Sequence, residues 1–173
     1  MDELLSNESK NNPDEEISTT SGAVYPYKAC GESKHSLDEK NRVSVPSRYR
    51  QWPSNKEDCE FVIVRVKQNY LAAFPYPDWD IIVEKLMSLS QLIEKNRSFV
   101  RAFSRRSTRI KCDKQGRLLL PQDCLQHAKI TSEIVIIGVG RGFELWSPDV
   151  LKDRDENPEE FDEDFKNKVG DIF

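Results

Sequence analysis

Between residues 30 and 75 short apolar runs alternate with polar breaks, the spacing of strands and tight turns. A strand from Cys30 to about Leu37, the polar turn Asp38, Glu39, Lys40 and Asn41, and a second strand over 42–45 predict a β-hairpin with Val43 and Val45 on one face. Pro46 can start a short helix over 46–52, because its ring presets φ and its missing amide hydrogen is not needed there. Pro53 would end it. The β-branched run Phe61, Val62, Ile63, Val64, Arg65, Val66 and the run Leu71, Ala72, Ala73, Phe74 predict a strand pair turned at Gln68 and Asn69. The period then changes. Trp79, Ile82, Val83, Leu86, Leu89 and Ile93 fall at three- and four-residue spacing, which predicts a helix capped by Asp78 with its apolar stripe in the core. A second helical stretch over 98–105 places Phe99 and Phe103 on one side and aligns Arg97, Arg101 and Arg105.

From residue 108 the first pattern returns. A strand reaches Cys112, a polar turn covers 113–116, a strand covers 117–120, a short helix covers 121–127, and two strands follow. The echo is also literal. Asp38-Glu39-Lys40-Asn41-Arg42-Val43-Ser44-Val45-Pro46 reappears 75 residues on as Asp113-Lys114-Gln115-Gly116-Arg117-Leu118-Leu119-Leu120-Pro121. Phe61–Val66 is answered by Glu133-Ile134-Val135-Ile136-Ile137-Gly138-Val139, and Leu71-Ala72-Ala73-Phe74-Pro75-Tyr76-Pro77-Asp78 by Phe143-Glu144-Leu145-Trp146-Ser147-Pro148-Asp149. Two copies of one β-β-α-β-β unit are therefore expected, with an α+β fold overall. The implied division is an acidic flexible tail over 1–28, a first half-domain over 29–76, linking helices over 77–107, a second half-domain over 108–150, and an acidic segment over 151–173. Phe161, Phe165 and Val169 could line one face of a helix in that last segment.

Composition changes the picture once it is divided along the chain. The 173 residues carry a net charge of -4 and a mean hydropathy of -0.68, and no stretch approaches the roughly 18 apolar residues of a membrane span. Residues 1–33 hold seven acids against two bases and 149–173 ten against four, so the stretch 34–148 carries +7. Between Arg97 and Arg117 eight bases face the single acid Asp113. Such a segment, running into a repeated Arg turn, suits a phosphate partner. The acidic, polar start does not read as a secretory signal, and a cytoplasmic address is expected. Cys30, Cys59, Cys112 and Cys124 form no Cys-x-x-Cys pair, so they are expected to be buried hydrophobes or free thiols, with no metal site. No nucleophile with its base, phosphate loop or carboxylate pair is visible, so neither an enzyme nor a cofactor is expected.

The turn carries the chemistry. An Arg that opens a strand directly after a tight turn projects a planar fork able to give two parallel hydrogen bonds to guanine or to a phosphate. The Asp four residues earlier can accept turn amides or orient the guanidinium. The alternative is a hairpin turn with a surface ion pair and no recognition role.

These residues resemble the MraZ transcriptional regulators of bacteria, whose half-domains belong to the AbrB-like, swapped-hairpin β-barrel group. The likeness rests on His35-Ser36-Leu37 with the first Asp38 to Pro46 motif, on Arg48-Tyr49-Arg50, and on Cys112 with the second motif. Gly138-Val139-Gly140 and Phe143-Glu144-Leu145-Trp146 extend it, and it covers about residues 30 to 150. The resemblance implies a ring of subunits that binds repeated promoter boxes in double-stranded DNA before a division and cell-wall gene cluster, usually repressing it, and hence a nucleoid-associated protein. It places DNA contacts on Asp38, Lys40 and Arg42 and on Asp113, Lys114, Gly116 and Arg117, with no small-molecule substrate. Asn41 stands where the family usually has Gly, so the first turn is expected to be strained or shaped differently. The alternative function is a non-enzymatic oligomeric scaffold that has lost DNA recognition, with the acidic ends as working surfaces. RNA binding is weaker, because stacking aromatics do not flank the turns.

Overall fold

A computed structural model describes residues 29–50 and 59–154, together with Phe161, Glu163, Asn167 and Lys168. The tail over 1–28, the end of the helix expected over 46–52, and Phe165 and Val169 of the last expected helix lie outside the described residues. The first half contains β1 (Ala29–Ser36), β2 (Arg42–Ser44), a single 3₁₀ turn (Ser47–Tyr49), β3 (Glu60–Val66) and β4 (Tyr70–Pro75). Helices α1 (Tyr76–Met87) and α2 (Glu94–Arg106) follow. The second half contains β5 (Ser107–Lys111), β6 (Arg117–Leu119), α3 (Gln122–Ala128), β7 (Glu133–Gly140) and β8 (Phe143–Trp146), and α4 (Pro148–Lys152) comes after it. Among the described residues no helix is long and apolar enough to cross a membrane.

The fold is α+β, with antiparallel sheets. Six strands lie in the order β1-β7-β8-β4-β3-β5, and β2 and β6 form a separate two-stranded ribbon. The order reads the same from either end if each strand is exchanged for its counterpart in the other half, so the repeat in sequence is a pseudo-two-fold axis in space. The expected β3–β4 pairing is present, with Val66 opposite Tyr70 and Asn69 in the left-handed region at φ 63°. The expected hairpin of β1 with β2 is not. β1 pairs with β7 of the other half, β5 pairs with β3, and β2 pairs with β6. Each half lends its first strand to the other half's hairpin and meets the other half again in the ribbon.

The core explains this exchange. Val43 and Leu118, directly opposite each other in the ribbon, are fully buried, as are Phe61, Ile63, Leu71, Ile134, Ile136, Phe143 and Leu145 of the large sheet. Pairing the ribbon across the halves brings both apolar inner faces onto one core, which burial favours by about 25 cal/mol per Å² of apolar surface. Phe143 stacks on Tyr49 at 5.4 Å and meets the edge of Phe61 at 5.0 Å. The Tyr49 hydroxyl donates to the Gly31 carbonyl at 2.8 Å, which satisfies the polar end of a buried ring.

Three local expectations change. The segment after Pro46 forms a 3₁₀ turn, because it offers one buried apolar residue, Tyr49, whereas α3 buries Cys124, Leu125 and Ala128 along one face. Asp78 does not cap α1. It lies within the first turn, 3% exposed, and Pro75 occupies the capping position with no side-chain bond. The apolar stripe is not core either. It is divided between α1, the connecting residues and the start of α2; Ile93 is 53% exposed, and α2 has no buried residue. Trp79 stacks on Phe103 at 5.6 Å, which joins the two helices to each other.

Candidate nucleic-acid interface

Both Asp-to-Arg turns adopt one backbone form. The Asp38 amide donates to the Arg42 carbonyl and the Asn41 amide to the Asp38 carbonyl, each at 2.9 Å, and Asp113, Arg117 and Gly116 repeat both bonds at 2.9 Å. The carboxylate then fills the turn. Asp38 Oδ1 accepts the amides of Lys40 and Arg42 at 2.9 and 3.0 Å, and Asp113 Oδ1 accepts those of Gln115 and Arg117 at 2.9 and 3.0 Å. The other oxygen holds the guanidinium, with Arg42 Nε at 2.6 Å from Asp38 Oδ2 and Arg117 Nε at 2.8 Å from Asp113 Oδ2. The Asp thus caps the turn and orients the guanidinium at once. A short carboxylate is needed, because only it offers one oxygen to the backbone and a second to the side chain at this distance.

The fourth turn residue must take a left-handed backbone, and it does so at φ 60° in Asn41 and φ 75° in Gly116. The first turn is therefore not differently shaped, and Asn serves where the second turn has Gly because its short polar side chain tolerates this region. Asn41 Nδ2 also donates to Gln122 Oε1 at 3.3 Å. Gly116 has a second constraint. A Cβ added there would lie 2.4 Å from Nη1 of Arg50, whose Nε donates to the Val45 carbonyl at 2.8 Å.

Ribbon pairing sets the two turns side by side. The Val45 amide donates to the Gly116 carbonyl and the Leu120 amide to the Asn41 carbonyl, each at 3.0 Å, so each turn ends the other's strand. Cross-pairs link Arg117 Nη1 to Asp38 Oδ2 at 3.5 Å and Arg42 Nη1 to Asp113 Oδ2 at 4.0 Å. The four charges form one cross-braced, electrically neutral cluster. Side chains of Arg42 and Arg117 are 28% and 26% exposed, so they are neither free forks nor buried ones. Within this cluster the Arg117 guanidinium and the amides of Arg117 and Gln115 hold the Asp113 carboxyl down to about 2. Asp38 is lowered in the same way, chiefly by the Arg42 amide.

Strand alternation fixes what the outer face presents. Because Val43 and Leu118 point inward, Arg42 and Ser44 of β2 and Arg117 and Leu119 of β6 share the opposite face. Leu119 is 55% exposed, and Ser44 is exposed. Lys40 and Lys114 stand exposed at the turn tips, whereas Gly116 is buried and shapes the loop. The Asp-to-Arg motif alone does not point to Ser44 and Leu119, although each lies two residues after a ribbon Arg, the spacing that puts it on the same face. Cys59 and Cys112 also depart from expectation, since their sulfurs are joined in a disulfide one residue before Asp113. Cys30 and Cys124 are free thiols.

The family model described as "MraZ protein, putative antitoxin-like" matches residues 29–102 and again residues 103–170. The chain belongs to the MraZ family. Among MraZ relatives, one named "Transcriptional regulator MraZ" from Clostridium beijerinckii is 39% identical over 132 residues, which are 76% of this chain and 90% of the relative. Proteins of the same name from Syntrophomonas wolfei and Pediococcus pentosaceus are each 34% identical, over 82% and 80% of this chain and 96% and 95% of their own lengths. The repeated match of the MraZ model meets its boundary at 102/103, inside α2, four residues before β5 begins.

Proposed function

We propose that the chain is a sequence-specific, DNA-binding transcriptional regulator that represses a bacterial division and cell-wall gene cluster by binding repeated promoter boxes. The observation that carries this reading is the pairing of both Asp-x-x-x-Arg turns into one outward ribbon face, and the names of the relatives as transcriptional regulators support it. A two-stranded ribbon fits the major groove of B-DNA. In this reading Arg42 and Arg117 meet base edges or phosphates, Lys40 and Lys114 attract the backbone, Asp38 and Asp113 hold each Arg in a fixed pose, and Gly116 keeps the second turn narrow. Ser44 and Leu119 join the contact surface. Regulation then needs no enzyme activity, cofactor or small-molecule substrate, and the protein is cytoplasmic and nucleoid-associated.

One ribbon reaches few bases, so affinity for repeated boxes calls for several copies acting together, where linkage raises avidity by about 10² to 10⁴. A homo-oligomeric ring meets that need. Its support is the helical pair, which exposes Ile81, Met87, Leu92, Ile93 and Phe99 on the surface. The half-domains over 29–76 and 108–150 would then act as the repeated reading unit, with the helices over 77–107 between them.

The test is titration of a promoter duplex and a scrambled duplex against wild type, Arg42→Ala and Arg117→Ala. Each substitution is expected to weaken promoter binding by about 1–3 kcal/mol for every bidentate Arg–base pairing it removes. Log affinity should fall with log salt by about 0.9 per phosphate neutralised. Equal affinity of wild type for both duplexes would overturn the reading. A scaffold without DNA recognition draws on one observation, the neutral Asp–Arg cluster, in which the guanidinium groups already have partners. It predicts that the Arg variants lose stability and nothing else.

A further inference from the structure

The two turns differ in one covalent feature. Leu37, the residue before the first Asp, donates its amide to the Ser132 carbonyl at 2.8 Å, and Cys112, the residue before the second Asp, donates to the Cys59 carbonyl at 2.7 Å. These are the same rung in the two halves, just ahead of β7 and β3. Only at the second is the rung also a disulfide, Cys59–Cys112, with Cα atoms 5.3 Å apart. The bond lies at the end of β5, an edge strand whose last ladder pair is Lys111 with Glu60. Ends of edge strands open most easily, so a bond there governs whether the residues after it stay placed.

We infer that Cys59 and Cys112 are a reversible thiol–disulfide site that sets the order of the Asp113 to Arg117 turn and, through it, the strength of DNA binding; the second clause rests on the function proposed above. Access fits. Both cysteines line a cleft of about 440 Å³ together with Arg50, Lys111, Asp113 and Gly116. Both cysteines are half-buried rather than sealed in the core. The bases Arg50, Lys111 and Lys114 outnumber the single acid Asp113 in the lining, which attracts anionic thiol compounds. By contrast Cys124 is buried in the core and burial pushes its thiol up to about 11, which leaves it unreactive.

The exchange balances with a low-molecular-weight disulfide as oxidant. One protein thiolate attacks that disulfide and releases the first small thiol, and the second protein thiolate attacks the mixed disulfide and releases the other. The protein loses two electrons and two protons, and the oxidant gains them as two thiols. Disulfides in intracellular proteins are usually transient and redox-sensing, which suits a regulator better than a permanent staple.

The experiment uses the full chain carrying Cys30→Ser, which removes the exposed thiol, treated with oxidised glutathione or with dithiothreitol. Intact mass after alkylation reports the bond, hydrogen exchange reports the Gln115 and Arg117 amides, and titration of promoter and scrambled duplexes reports binding. Oxidised protein is expected to protect both amides and to bind the promoter about three- to tenfold more tightly, since a preformed loop loses less freedom on binding. Adding Cys59→Ser and Cys112→Ser together, which leaves no thiol at the cleft to form a mixed disulfide, should fix the chain at the reduced level under both treatments. Equal amide protection in the two states, or a double-serine variant that responds as the parent does, overturns the inference. If neither state prefers the promoter duplex, the DNA reading falls, while amide protection alone still decides whether the bond controls the turn.

Discussion

Asp113 accepts two backbone amides on one oxygen and the Arg117 guanidinium on the other, so its charge is favoured only in the folded chain. Its carboxyl sits at about 2 against an ordinary 3.8. A depressed acid contributes stability that is present above its ordinary value and is lost as pH falls through the folded one. The urea midpoint of wild type should therefore exceed that of Asp113→Asn above pH ~4, and the gap should narrow between pH ~4 and pH ~2. Asp78 has the opposite sign. Burial raises its carboxyl, against a smaller pull from Arg141, and neither of its oxygens has a hydrogen-bond partner among the described residues. The charge therefore costs stability at neutral pH, and the cost fades as pH drops through the raised value. Asp78→Asn should raise the thermal midpoint at pH 7, by about 1 kcal/mol in stability, and lose that advantage in acid. The Asp-to-Arg turns are legible in the sequence because the bonds each Asp makes within its own turn span at most four residues. Asp78 misleads for the reverse reason: its position after Pro77 matches a cap, and only the packing of β4 against α1 shows the helix beginning earlier.

Among elements, the ribbon of β2 and β6 joins what the sequence presents as two units. Leu118→Ala removes a fully buried side chain opposite Val43 and should cost about 2–5 kcal/mol. Because that pair belongs to both halves, urea unfolding should remain one transition shared by tryptophan fluorescence and circular dichroism. Two separated transitions would show that the halves unfold independently. Strand positions are readable, since alternation and β-branched runs are local. Strand partners are not, because β1 has the same alternation whether it meets β2 or β7. The disulfide is invisible for a related reason: Cys59 and Cys112 lie 53 residues apart and meet only through the β3–β5 register. In the helices, three-and-four spacing places Trp79, Ile82, Val83 and Leu86 in α1 but runs past its end, since Leu89 and Ile93 lie outside both helices.

For the whole molecule, five of the eight exposed large hydrophobics among the described residues, Ile81, Met87, Leu92, Ile93 and Phe99, lie on the two helices and their connection. Leu92 is 92% and Met87 68% exposed. If copies of the chain assemble through this face, Met87→Lys combined with Leu92→Lys should reduce the mass seen by light scattering to that of a smaller species, with the monomer fold intact by circular dichroism. Unchanged mass would place the subunit interface elsewhere. The exchange of first strands has a different consequence. A chain cut after Arg106 would leave the amino-terminal fragment with β1 torn from its neighbour β7, and the carboxy-terminal fragment with β5 torn from β3. Neither piece could close its own core, yet each holds the strand the other lacks. The protein is in effect a fused pair of interlocked twins. The fusion frees the turn over 38–42 and the turn over 113–117 to diverge separately, so a single ribbon face can carry two unlike halves.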